Sequence, residues 1–387
     1  MTDMRGEPRT DLDVACYYHT PTKAALLHEA VLPAIRDLQG RGFATHVERH
    51  WLHGPHLRIR LSGSAGQVTE AAEALAGTLR EHLLAHPSQT VVDTAVLLER
   101  SVINGRAELI LGPYEPIHPD NTVRIEPADA SHLILLLGSE AAVAHRATLL
   151  RAGLEPVATS VALLVRHGNS TGDRVQLALT AMAVHAAAYP AGYAGGYQSF
   201  LSHLEDFLHL NDADGRLRAR FDHEWRQRTE LITEQVGELV AFRPADPVAR
   251  VWAEWARTAW QICGPAFERG ELPSQLSDAY RHQALATGDE ATARRWDPGT
   301  RTSYSEYHRL LRRTDFLRLP GVEGNFGPYR FATNVFYLLL KLCDVTPLER
   351  YLAAYLFSQA AQRLSGVTWQ EAIASHLSGD APIEVSR

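Results

Sequence analysis

The chain has 387 residues, 45% hydrophobic and 21% charged, a globular composition long enough for one large domain or two closely packed ones. Its formal net charge of -7 argues against a general nucleic-acid binder. The N-terminal MTDMRGEPRTDLD lacks the apolar stretch of a signal peptide, and no run approaches the roughly 18 apolar residues of a membrane span, so a cytoplasmic protein without membrane partners is expected. Cys16, Cys263 and Cys343 are far apart, which leaves no CxxC motif and fits buried thiols in a reducing compartment.

Residues 1–11 read as a disordered N-terminus. LDVACYYHT then reads as a strand. Pro21 and Thr22 open a helix to about Leu38, with apolar positions at Leu26, Leu27, Ala30, Val31, Ala34, Ile35 and Leu38, ended by Gly40 and Gly42. FATHVERHW and HLRIRLS are two further strands around a turn at His53, Gly54 and Pro55, and Gly66 to Ala85 is helical. The segment Pro87–Pro127 is rich in Gly and Pro, with short strands at Ala107–Leu111 and Thr122–Glu126. The order β-α-β-β-α predicts a ferredoxin-like half over residues 12–130. From Ser131 the pattern turns helical. SEAAVAHRATLLRAG, EPVATSVALLVRHG and GDRVQLALTAMAVHAAAY read as successive helices broken by Gly or Pro. Helical patterns continue over Tyr197–Leu208, Ala219–Leu239, Pro247–Phe267, Tyr329–Cys343, Pro347–Leu364 and Thr368–Leu377. Residues 268–328 are loop-rich, with short helical pieces at PSQLSDAYRHQAL and SYSEYHRLLRR. The fold class is therefore α+β, with a larger, mainly helical C-terminal half over 131–387.

In the strand PHLRIRL, alternation puts His56, Arg58 and Arg60 on one face and Leu57, Ile59 and Leu61 on the other. Two neighbouring guanidiniums are costly unless anionic or carbonyl-rich groups lie opposite. The plainer alternative is a solvated edge face. His185 and Tyr189, four apart before Pro190, share a helical face with small residues around them. A helix C-terminus favours a protonated imidazole, so the two form a candidate acid–base pair near neutrality. The alternative is a core histidine satisfied by a backbone carbonyl. Ser274, after Pro273, is either a helix cap or, with Tyr280, a second hydroxyl pair. Tyr193 and Tyr197 either line a groove or pack. Tyr304 and His308 are a spare pair. His50, His53 and His56 lie across a strand–turn–strand where their spacing does not converge, so no metal is expected.

PHLRIR resembles the His-Leu-Arg-x-Arg strand of the glutamate-elimination domain of lantibiotic dehydratases, a domain reused in the enzymes that close the pyridine ring of thiopeptides. The segments SFLSHLEDFL and NVFYLLLKLCDVTPLERY resemble the same family. Two features of its eliminating members are missing. Their Glu-Arg-Tyr-Gly-Gly-type motif is replaced by LILGPYEPIHPD, and their His-Met-His-x-Asn-Arg helix by FYLLLK. The pyridine-forming members carry a His-x3-Tyr and a Ser-x5-Tyr pair, matched here by His185/Tyr189 and Ser274/Tyr280. The resemblance implies a cofactor-free enzyme whose partners are a modified precursor peptide, leader attached, and other maturation enzymes. It would act by formal [4+2] cycloaddition of two dehydroalanines. The site would comprise His185, Tyr189, Ser274 and Tyr280, with substrate held by His56, Arg58, Arg60, Tyr193 and Tyr197. The N-terminal half would bind the leader. The alternatives are a stand-alone lyase removing glutamate from glutamylated Ser/Thr and a non-catalytic leader-binding scaffold.

Overall fold

The computed structural model describes residues 9–241, 246–273, 278–297, 301–318 and 322–378. The chain forms two compact units that interleave along the sequence. The first comprises residues 1–166, 271–301 and 335–344, and the second 167–270, 302–334 and 345–387. The division does not fall at 130/131, because the first helices after that point stay with the sheet.

The first unit begins with strand β1 (Arg9–Tyr17), three residues earlier than the sequence reading placed ordered structure. A helical stretch follows in three parts: α1 (Ala24–Leu26), a π-helical segment (Leu27–Val31) and α2 (Leu32–Gly40). Pro33 explains the π segment. In a regular helix its ring would meet the carbonyl four residues back, on Glu29, and its missing N–H would break the ladder. The start of α1 is capped from far away, since Asp344 accepts from the backbone N–H of Lys23 (2.7 Å) and Ala24 (3.0 Å). Asp344 also takes Arg49 at 2.9 Å.

Strands β2 (Ala44–His50) and β3 (His56–Ser64) form a hairpin, and α3 (Ala65–Ala85) packs back on β1, β3 and β4. Helix α4 (Thr94–Glu108), capped by Asp93, occupies the segment that the sequence reading left without a helix. The strand expected at Ala107–Leu111 does not form: residues 107 and 108 close α4 and Leu109 turns left-handed at φ 57°. Strand β4 (Thr122–Pro127) completes an antiparallel sheet of order β2-β3-β1-β4. This is the ferredoxin-like arrangement, in which β3 fills the gap of a split βαβ. Helices α5 (Ser131–Leu137), α6 (Glu140–Ala152) and α7 (Leu154–His167) follow, and α6 packs on β2.

The second unit is helical. Helix α8 (Thr171–Ala187) starts in a Ser170/Asp173 capping box and is followed by α9 (Tyr193–Asn211), α10 (Arg216–Val240) and α11 (Pro247–Glu268). Helices α12 (Asp278–Ala286) and α13 (Glu290–Trp296) return to the first unit. Helix α14 (Glu306–Leu311) precedes α15 (Phe326–Leu342), whose residues through Asn334 count with the second unit and the rest with the first. Helices α16 (Pro347–Ser365) and α17 (Trp369–Ser378) end the described chain. α16 lies against α8, α9 and α10, and α11 against α8, around a core that includes Phe200, Trp252, Trp255 and Phe357. Gly196 brings α9 onto α8, since a Cβ there would run into the Ala186 backbone. Among the described residues no single helix is long and apolar enough to cross a membrane.

Candidate functional site

Register decides the fate of the two arginines in the first unit. Asp13 and His46 flank Arg60 on the neighbouring strands, Ala15 and Glu48 flank Arg58, and Tyr17 and His50 flank His56. Arg60 donates to both Asp13 oxygens, Nε to Oδ1 at 2.8 Å and Nη2 to Oδ2 at 2.7 Å. Arg58 donates to Glu48 Oε1 at 3.4 Å, and Arg146 of α6 forms a second, two-pronged pair with Glu48. Burial alone would raise the Glu48 carboxyl; Arg146, His46 and Arg58 outweigh it and hold the group well below the usual carboxylate range. Burial pushes His56 down to about 3; its Nδ1 lies 2.9 Å from the Gly54 carbonyl and its ring packs on Tyr17. The face is therefore neither a solvated edge nor a row of open guanidiniums, because the same sheet supplies the opposing carboxylates.

In the second unit, α8 ends at Ala187, so Tyr189 lies beyond the helix that the sequence reading extended to it. The two side chains still meet, on Tyr329. The His185 ring stacks on Tyr329 at 4.8 Å and 12°, and Tyr189 meets Tyr329 edge-on at 4.8 Å. The Thr333 hydroxyl donates to the Tyr329 carbonyl (2.8 Å), so His185 Nε2–H is the donor in the 3.1 Å bond to Thr333 Oγ1. Trp255 and Phe200 close around the imidazole, which is 2% exposed. The small residues around His185 thus leave no open space beside it, because aromatic side chains fill it. Burial pushes this histidine down to about 3, opposite to the near-neutral group inferred from the helix end. Desolvation by several aromatic rings exceeds a dipole effect of about 1 kcal/mol.

The open space lies on the other side of this aromatic layer. A cavity of about 420 Å³ is lined by Tyr189 and Tyr329, by Tyr197, Gln198, Ser202 and His203 of α9, and by residues of α14, α15 and α17. Tyr307 donates to Gln198 Oε1 at 3.0 Å, and Gln198 Nε2 donates to the Tyr197 hydroxyl at 2.9 Å. Tyr329 donates to the Gly196 carbonyl at 3.2 Å. Burial pushes the Tyr189 phenol up to about 12 and raises Tyr197 and Tyr307, so these walls offer O–H donors and not phenolates at physiological pH. Beside them Ser202 Oγ lies 3.0 Å from His308 Nε2, while His308 Nδ1 lies 2.8 Å from Ser305 Oγ, the cap of α14. A hydroxyl, an imidazole and an orienting third group in series form a chain able to move a proton. His203 is pushed down to about 4, first by burial and then by Arg350. Arg330, also on the wall, stacks over Phe326 at 5.8 Å.

Of the residues singled out in the sequence, Tyr189 and Tyr197 line this cavity and His185 backs it. Tyr193, half-buried at the start of α9, is not among the lining residues. Tyr280 belongs to α12 of the first unit, where it packs against Leu109, Leu136, Ala284 and Trp296. Ser274 lies outside the described residues. Sequence reasoning missed Tyr329, Tyr307, Gln198, Ser202 and Arg330. Of these, Tyr307 left a trace beside the spare candidate His308 in SYSEYH, and Ser202 lies within the family-like segment SFLSHLEDFL.

The fold has solved counterparts. A pyridine synthase, TbtD, from thiomuracin biosynthesis superposes with a TM-score of 0.66 at 22% identity, over 92% of this chain and 99% of that one. The crystal structure of TsrL gives 0.63 at 16% identity, over 95% of this chain and 99% of that one. No curated protein matches the sequence. The pattern of the lantibiotic biosynthesis dehydratase C-terminal family matches residues 12–361, and the chain belongs to that family.

Proposed function

We propose that this protein is a pyridine synthase of thiopeptide maturation, acting on a leader-bearing precursor peptide that carries dehydroalanines. The observation that carries the reading is the aromatic cavity, with neutral phenols on its wall and the Ser202–His308 pair beside them. The resemblance of His185/Tyr189 and Ser274/Tyr280 to the pyridine-forming members supports it, as does the absence of the elimination motifs.

One dehydroalanine, with the amide that acylates its nitrogen, tautomerises to an imidic acid and becomes a 2-aza-diene. The alkene of the other is the dienophile. Two carbon–carbon bonds close a hydroxylated tetrahydropyridine. Loss of water and then of the leader as its carboxamide leaves the aromatic pyridine, so the sequence balances without an oxidant. Two tasks remain for the protein. It must hold two alkenes of a flexible peptide in reacting geometry, an entropic contribution of several kcal/mol. It must also move protons during tautomerisation and dehydration. Tyr189 and Tyr197 donate hydrogen bonds to the amide oxygen. Ser202 and His308 carry the proton. His185, neutral and buried, positions Tyr329 and Tyr189 and takes no proton itself. Tyr280 and Ser274 are assigned a donor and an orienting role on the family resemblance. Arg58 and Arg60, held by Glu48 and Asp13, shape the sheet, whose edge strands β2 and β4 are where an extended leader adds main-chain hydrogen bonds.

The test is incubation of purified protein with a leader-bearing, azole- and dehydroalanine-containing peptide, followed by mass spectrometry. Expected is a product lighter by one water and the leader carboxamide. An unchanged peptide, together with glutamate release from a glutamylated one, would replace this reading with the lyase.

A further inference from the structure

Away from the cavity, the first unit brings two imidazoles and a carboxylate to one spot. His82 and His86 close α3, four residues apart, with ring centroids 4.8 Å from each other. Four-residue spacing at a helix end puts both rings on one side. Glu29 comes to them from the π segment Leu27–Val31, which packs on α3. One ligand atom from each of the three lies within 4.8 Å of the other two. His82 is half-buried while Glu29 and His86 are exposed, so small rotamer changes can bring the three atoms closer.

One further observation sets this cluster apart from a chance meeting of surface groups. Glu29 sits within the widened turn that Pro33 imposes, and π turns recur at functional sites. Two imidazoles and one carboxylate form the donor set of borderline divalent ions such as Zn²⁺ and Co²⁺, whereas Mg²⁺ and Ca²⁺ prefer oxygen alone.

We propose that Glu29, His82 and His86 bind one divalent transition-metal ion of the zinc class, which staples the π segment to the end of α3. The site is independent of the function proposed above. Three protein ligands leave the remaining coordination to water, and the consequence read here is mechanical: two helices of the first unit gain a cross-link.

The experiment uses the full chain after chelator treatment. It is titrated with Co²⁺, read by visible d–d absorption, and with Zn²⁺, read by calorimetry against a competing chelator. Expected are saturation at one ion per chain and a melting temperature that rises with added Zn²⁺. His82→Gln and His86→Gln should each weaken binding by about tenfold or more and abolish the rise, on the scale by which metal sites respond to lost ligand-shell groups. Glu29→Gln should weaken it by less, and His209→Gln should leave it unchanged. Far-UV circular dichroism confirms that these surface variants fold. Absence of saturable Co²⁺ and Zn²⁺ binding, or binding that survives the paired His82→Gln, His86→Gln substitution, overturns the site.

Discussion

Single side chains here are governed by what surrounds them more than by their place in the sequence. The arginines of PHLRIR show this. Their alternation was legible, and with it the need for opposing charge, but the opposing groups are Asp13 and Glu48 of the flanking strands. Removing one partner leaves a guanidinium buried without its counter-charge. Glu48→Gln should therefore cost about 3–5 kcal/mol in urea unfolding, the scale for breaking a buried pair. His185 carries the same lesson with the opposite sign. Its imidazole binds a proton more readily unfolded, near 6.5, than folded, near 3. The unfolded chain thus holds more protons between those values, and stability rises with pH across that window and falls as pH drops below 6.5. His185→Phe should shrink the loss of stability between pH 7 and pH 5 by about 2 kcal/mol, measured as the difference in unfolding free energy. An unchanged loss would mean that the ring is not buried as described. On turnover, Ser202→Ala and His308→Gln should each slow conversion of the peptide by about 10²–10⁴-fold with unchanged melting temperature, whereas a purely structural role for the pair would lower both.

Elements with punctuation at both ends were legible. Helices α6, α7 and α8 fall where Gly153, Gly168 and Pro190 bracket apolar periodicity, and β2, β3 and β4 fall where alternation is clear. Helix α4 was not legible because it buries Leu97, Ser101 and Gly105, a face too small and polar to stand out as periodic. The π segment was hidden for another reason: an inserted residue shifts the apolar face, and Leu32 is buried in place of Ala34. The cavity was illegible because its walls come from positions as distant as Tyr189 and Ile373, and the phenol–amide–phenol chain exists only after α9 and α14 meet. The seating of α9 on α8, in turn, depends on Gly196. A methyl group there collides with the Ala186 backbone, so Gly196→Ala should destabilise by about 1–3 kcal/mol in denaturant titration and disturb Tyr329, whose hydroxyl uses the Gly196 carbonyl.

Across the molecule, the two units are assembled from segments that alternate along the chain, which no local pattern announces. Composition and resemblance set the class, an α+β fold with a dominant helical part; the closing of the first unit by residues 271–301 and 335–344 required the structure. This interleaving has a consequence for biosynthesis. The first helix of the protein waits for Asp344 to satisfy the N–H groups of Lys23 and Ala24, so a nascent chain still inside the ribosome at that position holds a sheet whose leading helix has a frayed start. The start of that helix is completed only after most of the chain has been made, although it is among the earlier segments translated. A chain stopped before Val335 should accordingly be cut by protease near Pro21–Ala24 far sooner than the full-length one.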